Sequence, residues 1–251
     1  MSEFIHTRRE DAIVCVAMSR PEKKNAITTA MYSDLAEAIG QAAFDDAVRV
    51  AVIHGDAGNF TAGNDLGDFL ASPPEDDNAP VFRFLREISN FEKPLIAAVE
   101  GVAIGIGTSM LLHCDFVYAA ADARFALPFV NLGVVPEAAS SLLLPQIAGW
   151  QRAAELLMLG EPFSAGQARE AGLVNAVLDR SEVLPAAMKA LDQGLGAWGF
   201  HDVSVARDGL GPPRLVVVGR AAEVAGGFGV STWRVSLTHT DGVAMAVVAA
   251  L

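Results

Sequence analysis

Cysteine is nearly missing: Cys15 and Cys114 are the only two in 251 residues. Two thiols cannot build a disulfide scaffold, and a reducing intracellular compartment is the simpler expectation. Basic residues are also scarce, 18 Lys and Arg against 30 Asp and Glu, for a formal net charge of −12. Proteins that bind nucleic acid need cationic surface to displace counterions from phosphates, so this balance argues against bulk nucleic-acid binding. No uncharged apolar run reaches the roughly 18–20 residues of a membrane-spanning helix. Residues 1–10 carry charges where a secretory leader would carry an apolar core. The expectation is a soluble cytoplasmic protein without a membrane partner. No internal repeat is visible, and no His, Cys or Asp spacing marks a metal site.

What is present supports a sizeable core. Hydrophobic residues make up 52% of the chain and charged residues 19%, a mixture that excludes general disorder. The length suits about one large domain. Residues 12–18 and 48–54 read as short buried strands. Between them, residues 29–44 place Met31, Leu35, Ala38, Ile39 and Ala42 at helical spacing. Strand, helix, strand in this order predicts a parallel crossover in an α/β domain. Further strands are expected at 95–99 and 116–120, and helices at 108–112, 138–144, 151–159 and 165–171. Residues 72–79, rich in proline and acidic or amide side chains, read as a mobile loop.

Residues 194–251 differ in kind. They hold 10 glycines and 11 valines, no lysine and one glutamate, and their acidic and basic residues cancel. Pro212-Pro213 and Gly226-Gly227-Phe228-Gly229 interrupt any long helix. Residues 215–218 are a valine-rich run open to aggregation. The reading is a domain over 1–193 followed by an atypical segment over 194–251, either an appendage or the product of an altered reading frame.

Five segments in order carry a resemblance. They are Arg20-Pro21-Glu22-Lys23-Lys24-Asn25-Ala26-Ile27, Phe60-Thr61-Ala62-Gly63-Asn64-Asp65-Leu66, Gly101-Val102-Ala103-Ile104-Gly105-Ile106-Gly107, Asn131-Leu132-Gly133-Val134-Val135-Pro136-Glu137, and Gly160 through Gly172-Leu173-Val174-Asn175. Together they resemble the crotonase, or enoyl-CoA hydratase/isomerase, family over about residues 5–193. The resemblance implies an α/β fold with a spiral ββα core flanked by helices, and a homotrimer or dimer of trimers. It implies an acyl-CoA thioester substrate, with CoA entering as part of the substrate and no separate cofactor. It also implies an oxyanion hole formed by the N–H groups of Asn64 and Ile106, and CoA contacts from Lys24, Ala26, Ala62, Asn64, Asp65, Leu66, Gly67 and Ile106. Asp65 either fixes the oxyanion loop or caps a turn.

The chemistry fits such a hole. A thioester that loses an α-proton develops negative charge on its carbonyl oxygen. Two preorganised backbone donors stabilise that charge, each by roughly 3 kcal/mol. Without the family, the two glycine stretches are better explained as tight strand-to-helix turns. A dinucleotide fingerprint fails, because Met110 stands where its third glycine belongs.

Family hydratases use two glutamates to activate water. Their positions fall on Ser109 and Phe129, and neither side chain is a serviceable base. Pro136-Glu137-Ala138-Ala139-Ser140-Ser141 instead resembles the peroxisomal-type Δ3-Δ2-enoyl-CoA isomerases, in which a glutamate at the Glu137 position is the single catalytic base. Leu132, Val134 and Val135 are expected to limit its hydration and raise its basicity. By grammar alone, Pro followed by Glu is an ordinary helix start. Isomerisation of 3-enoyl-CoA to trans-2-enoyl-CoA is thus the first reading, with hydration, or acyl-CoA binding without catalysis, as alternatives. A Clp-type serine hydrolase, with Ser109 as nucleophile, lacks a histidine between His113 and His201. Phe69, Phe82, Phe84 and Leu85 are candidate walls of the acyl pocket. His54, Cys15 and Cys114 are assigned to packing or local hydrogen bonding.

Overall fold

Near-continuous apolar runs build the centre of the protein, because a parallel strand covered on both faces has no side to give to polar residues. Strands β2 (Ile13–Met18), β3 (Val50–Gly55) and β4 (Leu95–Val99) are of this kind, and every residue of β4 is buried. A computed structural model describes residues 3–190, 203–206, 214–227, 230, 232–240 and 243–250. The chain divides into two units, Met1–Lys189 and Ala190–Leu251. The boundary expected at 193/194 lies outside the described residues.

In the first unit a six-stranded sheet has the order β1-β2-β3-β4-β6-β9, where β1 is Ile5–Glu10, β6 is Phe116–Ala120 and β9 is Ala176–Leu178. All its pairs are parallel except β1 with β2. Helix α1 (Thr29–Phe44) joins β2 to β3, as the sequence predicts. The Thr28 side chain caps it by accepting from Met31 N–H, and its buried face includes Met31, Tyr32, Leu35 and Ile39. Strand β1 carries no apolar alternation and buries only Ile5. An edge strand held by its ladder alone leaves no periodic signal.

A second, three-stranded sheet has the order β5-β7-β8, with β5 at Val102–Ile104, β7 at Arg124–Ala126 and β8 at Phe163–Ser164. Thr61 extends it through a parallel bridge to Ala103. The chain therefore repeats one route: a strand of the large sheet, a strand of the small one, then a helix. The first turn runs from β3 through Thr61 to α2 (Leu66–Ala71). The second runs from β4 through β5 to α4 (Ile106–Ser109), after α3 (Pro80–Ser89). The third runs from β6 through β7 towards α5 (Ser140–Ala148). This is the α/β fold with the spiral ββα core that was expected. Helices α6 (Trp150–Leu159), α7 (Ala165–Glu170) and α8 (Arg180–Lys189) complete the unit.

Two predicted helices change shape. The one expected at 108–112 begins two residues earlier, as α4, and continues as a 3-10 turn over Met110–His113. The one expected at 138–144 starts only at Ser140, because Ala138 and Ala139 take left-handed φ values of 53° and 52°. Residues 72–79 contain no helix or strand.

The second unit holds two antiparallel hairpins, β10 (Val203–Ala206) with β11 (Arg214–Val217) and β12 (Trp233–Thr240) with β13 (Val243–Ala250), plus helix α9 (Gly219–Gly227). Val216 and Val218, in the run singled out above, are exposed. Pro212-Pro213 and Phe228-Gly229 lie outside the described residues. Among the described residues, no helix is long and apolar enough to cross a membrane, and no cluster of three metal-ligating side chains occurs.

Candidate active site

Backbone proximity, set by glycine, makes one side of the site. Gly63 has a φ of +91°, and a Cβ built on it would lie 2.7 Å from Ile104 O. Only glycine lets the residue 61–64 segment run this close to β5. Ile27 N–H donates to Gly63 O at 2.8 Å and Asp65 N–H donates to Ile27 O at 2.9 Å. This parallel bridge between Ile27 and Asn64 turns Asn64 N–H to the opposite side. Ile106 opens α4 after Gly105, whose φ is +56°. Neither Asn64 N–H nor Ile106 N–H donates to an acceptor among the described residues. Two unoccupied donors at the start of a short helix and on an adjoining loop suit a developing oxyanion.

The loop over residues 20–27 is tied to this side by Asn25, which is fully buried. Its Oδ1 accepts from Arg20 N–H at 2.7 Å, and its Nδ2 donates to Asp56 O at 3.0 Å and to Asn59 O at 2.7 Å. Ala62 N–H donates to Lys24 O at 2.9 Å, and Ala26 O accepts from Arg20 Nη1 at 3.0 Å. Lys24 is exposed and its φ is 49°. Asp65 both caps and clamps. Its Oδ1 accepts from the N–H groups of Gly67 and Asp68, at the start of α2, and its Oδ2 meets Arg20 Nη1 at 2.7 Å. The Arg20 hydrogen bond, helped by the amide of Asp68, holds its carboxyl below the usual range. Leu66 and Gly67 are exposed on the first turn of α2.

Side-chain contacts make the other side. Glu137 follows Pro136 and precedes the left-handed pair Ala138-Ala139. Its Oε1 lies 3.9 Å from the position a Cβ on Gly105 would take, and its Oε2 accepts from Asn64 Nδ2 at a long 3.5 Å. Tyr32 O–H donates to Asn64 Oδ1, which fixes the amide so that its nitrogen faces the carboxylate. Burial pushes the Glu137 carboxyl up from its ordinary value, against the pull of the Asn64 hydrogen bond. Burial, with a contribution from Glu137, also raises the Tyr32 phenol, which stays protonated and keeps donating. The residues expected around the base, Leu132, Val134 and Val135, do not enclose it. They are 54%, 53% and 82% exposed, while the Glu137 carboxylate approaches the Gly105 backbone.

A cavity of about 400 Å3 opens beside Asn64 and Tyr32, bounded by Phe69, Pro73, Pro74 and Val81. Of the four proposed wall residues only Phe69 lines it. Phe84 is fully buried and packs on Tyr32, with ring centroids 5.7 Å apart, while Phe82 and Leu85 lie off the cavity. Ser109 is fully buried and its Oγ makes no hydrogen bond to any described residue; Phe129 is 4% exposed. No described histidine activates Ser109, since His113 Nε2 lies 2.9 Å from Ala138 O. The remaining assignments to packing agree with the structure. Cys15 Sγ lies 3.1 Å from Met188 Sδ, burial raises both thiols, and burial lowers the His54 imidazole beside Asp56.

Sequence reasoning gives Tyr32, Asn25 and Arg20 no role of their own, and His113 none beyond local packing or capping. Asn25 carried a signal, because asparagine tolerates the left-handed φ of 57° that the loop requires. Tyr32 and His113 carried none, since each reaches the site only through a tertiary contact.

The enoyl-CoA hydratase/isomerase family profile matches residues 8–197. The chain is 38% identical to the 1,2-epoxyphenylacetyl-CoA isomerase of Escherichia coli (strain K12), over 71% of each chain. It is 39% identical to enoyl-CoA delta isomerase 2 of Homo sapiens over 71% of its own length, which spans 47% of that relative. It is 36% identical to the 2,3-dehydroadipyl-CoA hydratase of E. coli (strain K12), over 75% of this chain and 74% of the relative. Among solved structures, Pseudomonas aeruginosa OdaA is similar at 50% identity and a TM-score of 0.73, covering 75% of this chain and 77% of that one.

Proposed function

The chain belongs to the enoyl-CoA hydratase/isomerase family, and from that premise we propose that it isomerises 3-enoyl-CoA to trans-2-enoyl-CoA with Glu137 as its only carboxylate base. The thioester carbonyl sits between Asn64 N–H and Ile106 N–H. The CoA portion runs along Lys24, Ala26 and Ala62, and past Asp65, Leu66 and Gly67. Glu137 takes a proton from C2. The electron pair of that C–H bond moves into the thioester, and the charge rests on the oxygen held by the two amides. The dienolate collapses as Glu137 returns the proton to C4, which leaves the double bond between C2 and C3. No water is consumed and one carboxylate serves both transfers.

The observation that carries this reading is the Glu137 carboxylate beside Asn64 and Gly105, with its proton affinity raised by burial. Two relatives with isomerase names support it, and the hydratase relative keeps hydration as the competing outcome. The test offers purified protein 3-hexenoyl-CoA and, separately, crotonyl-CoA, and follows the absorbance of the conjugated thioester. A rise with the first and no loss with the second is expected. Loss with crotonyl-CoA establishes a hydratase working without the usual glutamate pair. Silence with both leaves acyl-CoA binding as the function.

A further inference from the structure

Glu137 depends on a backbone turn that alanine does not favour. Ala138 and Ala139 follow it at φ values of 53° and 52°, a region in which an L-residue stays only when its surroundings hold it. Part of the support is local. Ser140 N–H and Ser140 Oγ both donate to Glu137 O, at 3.0 and 2.6 Å. Leu142 N–H and Leu143 N–H both donate to Ala139 O at 2.9 Å, which ties Ala139 to α5. These bonds belong to the turn and its own helix, and they would travel with it if it moved.

Among the described residues, one side-chain hydrogen bond to Ala138 and Ala139 comes from elsewhere in the chain. His113 Nε2 lies 2.9 Å from Ala138 O, 25 residues along the chain. A carbonyl oxygen only accepts, so Nε2 carries the proton and donates. His113 ends the 3-10 turn that continues α4, and α4 begins at Ile106. One short rod thus has an unoccupied amide donor at its start and, at its end, a grip on the segment bearing the carboxylate. A second hydrogen bond between the two sides is the long contact of Asn64 Nδ2 to Glu137 Oε2.

We propose that His113 is a positioning residue, whose Nε2–H···O bond to Ala138 locks the left-handed turn and so sets the distance between the Glu137 base and the oxyanion donors. This rests on the isomerase reading for its kinetic consequence, though not for the structural one. Misplacing a base by about 1 Å costs on the order of 100-fold in rate. His113→Ala therefore lowers kcat by about 10- to 100-fold with KM within about twofold. His113→Gln, which can carry an N–H to the same carbonyl, recovers most of that loss.

The experiment pairs these kinetics with two NMR measurements. Imidazole nitrogen shifts of the wild-type protein report whether the neutral ring carries its proton on Nε2. Carboxyl carbon shifts report the Glu137 titration in wild type, His113→Ala and His113→Gln. Expected are an Nε2–H tautomer, a Glu137 pKa that falls towards the ordinary carboxylate range in His113→Ala as the turn opens to water, and its return in His113→Gln. An Nδ1–H tautomer overturns the proposal even if His113→Ala does not fold. So does a folded His113→Ala whose Glu137 titrates as in wild type. If wild type turns over no 3-enoyl-CoA, the isomerase reading falls, and the titrations still decide the role of His113.

Discussion

The two sides of the site are built by different means. The donor side, Asn64 and Ile106, is made of backbone, and its shape follows from chain paths close enough that Gly63 admits no side chain. The base side, Glu137, is made of side chains: an imidazole on Ala138, an amide from Asn64, a phenol behind that amide. Backbone packed into two sheets is hard to displace by a point change that leaves the fold intact. A turn held by a few hydrogen bonds can be moved without unfolding anything. Loss of rate without loss of stability therefore belongs to the base side, and loss of both to the donor side.

The sharpest break of that contrast is Glu137→Gln. It is expected to lower isomerase kcat by about 1,000-fold, with little change in acyl-CoA affinity by calorimetry. The wild-type rate should rise with pH through the raised Glu137 pKa, since only the carboxylate takes the proton. The stability sign runs the other way. A carboxyl whose pKa is raised by folding adds stability while protonated, and loses that contribution as pH rises through the folded value. Glu137→Gln should then melt above wild type at alkaline pH, and the gap should close in acid; a variant that melts below wild type at alkaline pH contradicts the assignment.

Next in size is Gly63→Ala, on the donor side. A Cβ 2.7 Å from Ile104 O, on a residue at φ +91°, should cost about 2–3 kcal/mol in urea unfolding and reduce the rate as well. A fully stable variant with a lower rate would erase the distinction between the two sides. The smallest effect expected is that of Asp65→Ala, which removes the cap of α2 and the partner of Arg20 for about 1–2 kcal/mol. Because the Asp65 pKa is held low, chiefly by Arg20, its contribution is present above the usual carboxylate range and is lost as pH falls through the folded value. The wild-type advantage over Asp65→Ala should shrink in acid.

The same contrast explains what could be read in advance. Buried parallel strands such as β4 and the long amphipathic α1 write their period into the sequence, and both lie where it predicts. The glycines of the donor side are legible as turns, but their part in a donor pair is legible only through resemblance, because the approach of Gly63 to Ile104 O is a tertiary contact. Glu137 is legible only through resemblance, since Pro-Glu also begins ordinary helices. The turn after it defeats the helix expected at 138–144, because Ala-Ala is a strong helical signal that the tertiary bond from His113 and the bonds around Ser140 override. Val134 and Val135 are exposed where the sequence predicts cover for Glu137, because apolar character does not say which way a loop residue faces.

The order of strands in the large sheet has a consequence for synthesis on the ribosome. From β2 to β9, each strand added is the next to leave the exit tunnel and docks beside the last one laid down, with only the small-sheet strands between. The growing chain never has to hold a gap open for a later strand, which keeps unpaired edges short-lived. The two amide donors are thus in place by the end of β5 and the first turn of α4. Glu137, the proposed base, arrives about 30 residues later, at synthesis rates of roughly 5–20 residues per second a delay of a few seconds. On the proposed reading, the donors of the site are therefore synthesised before its base.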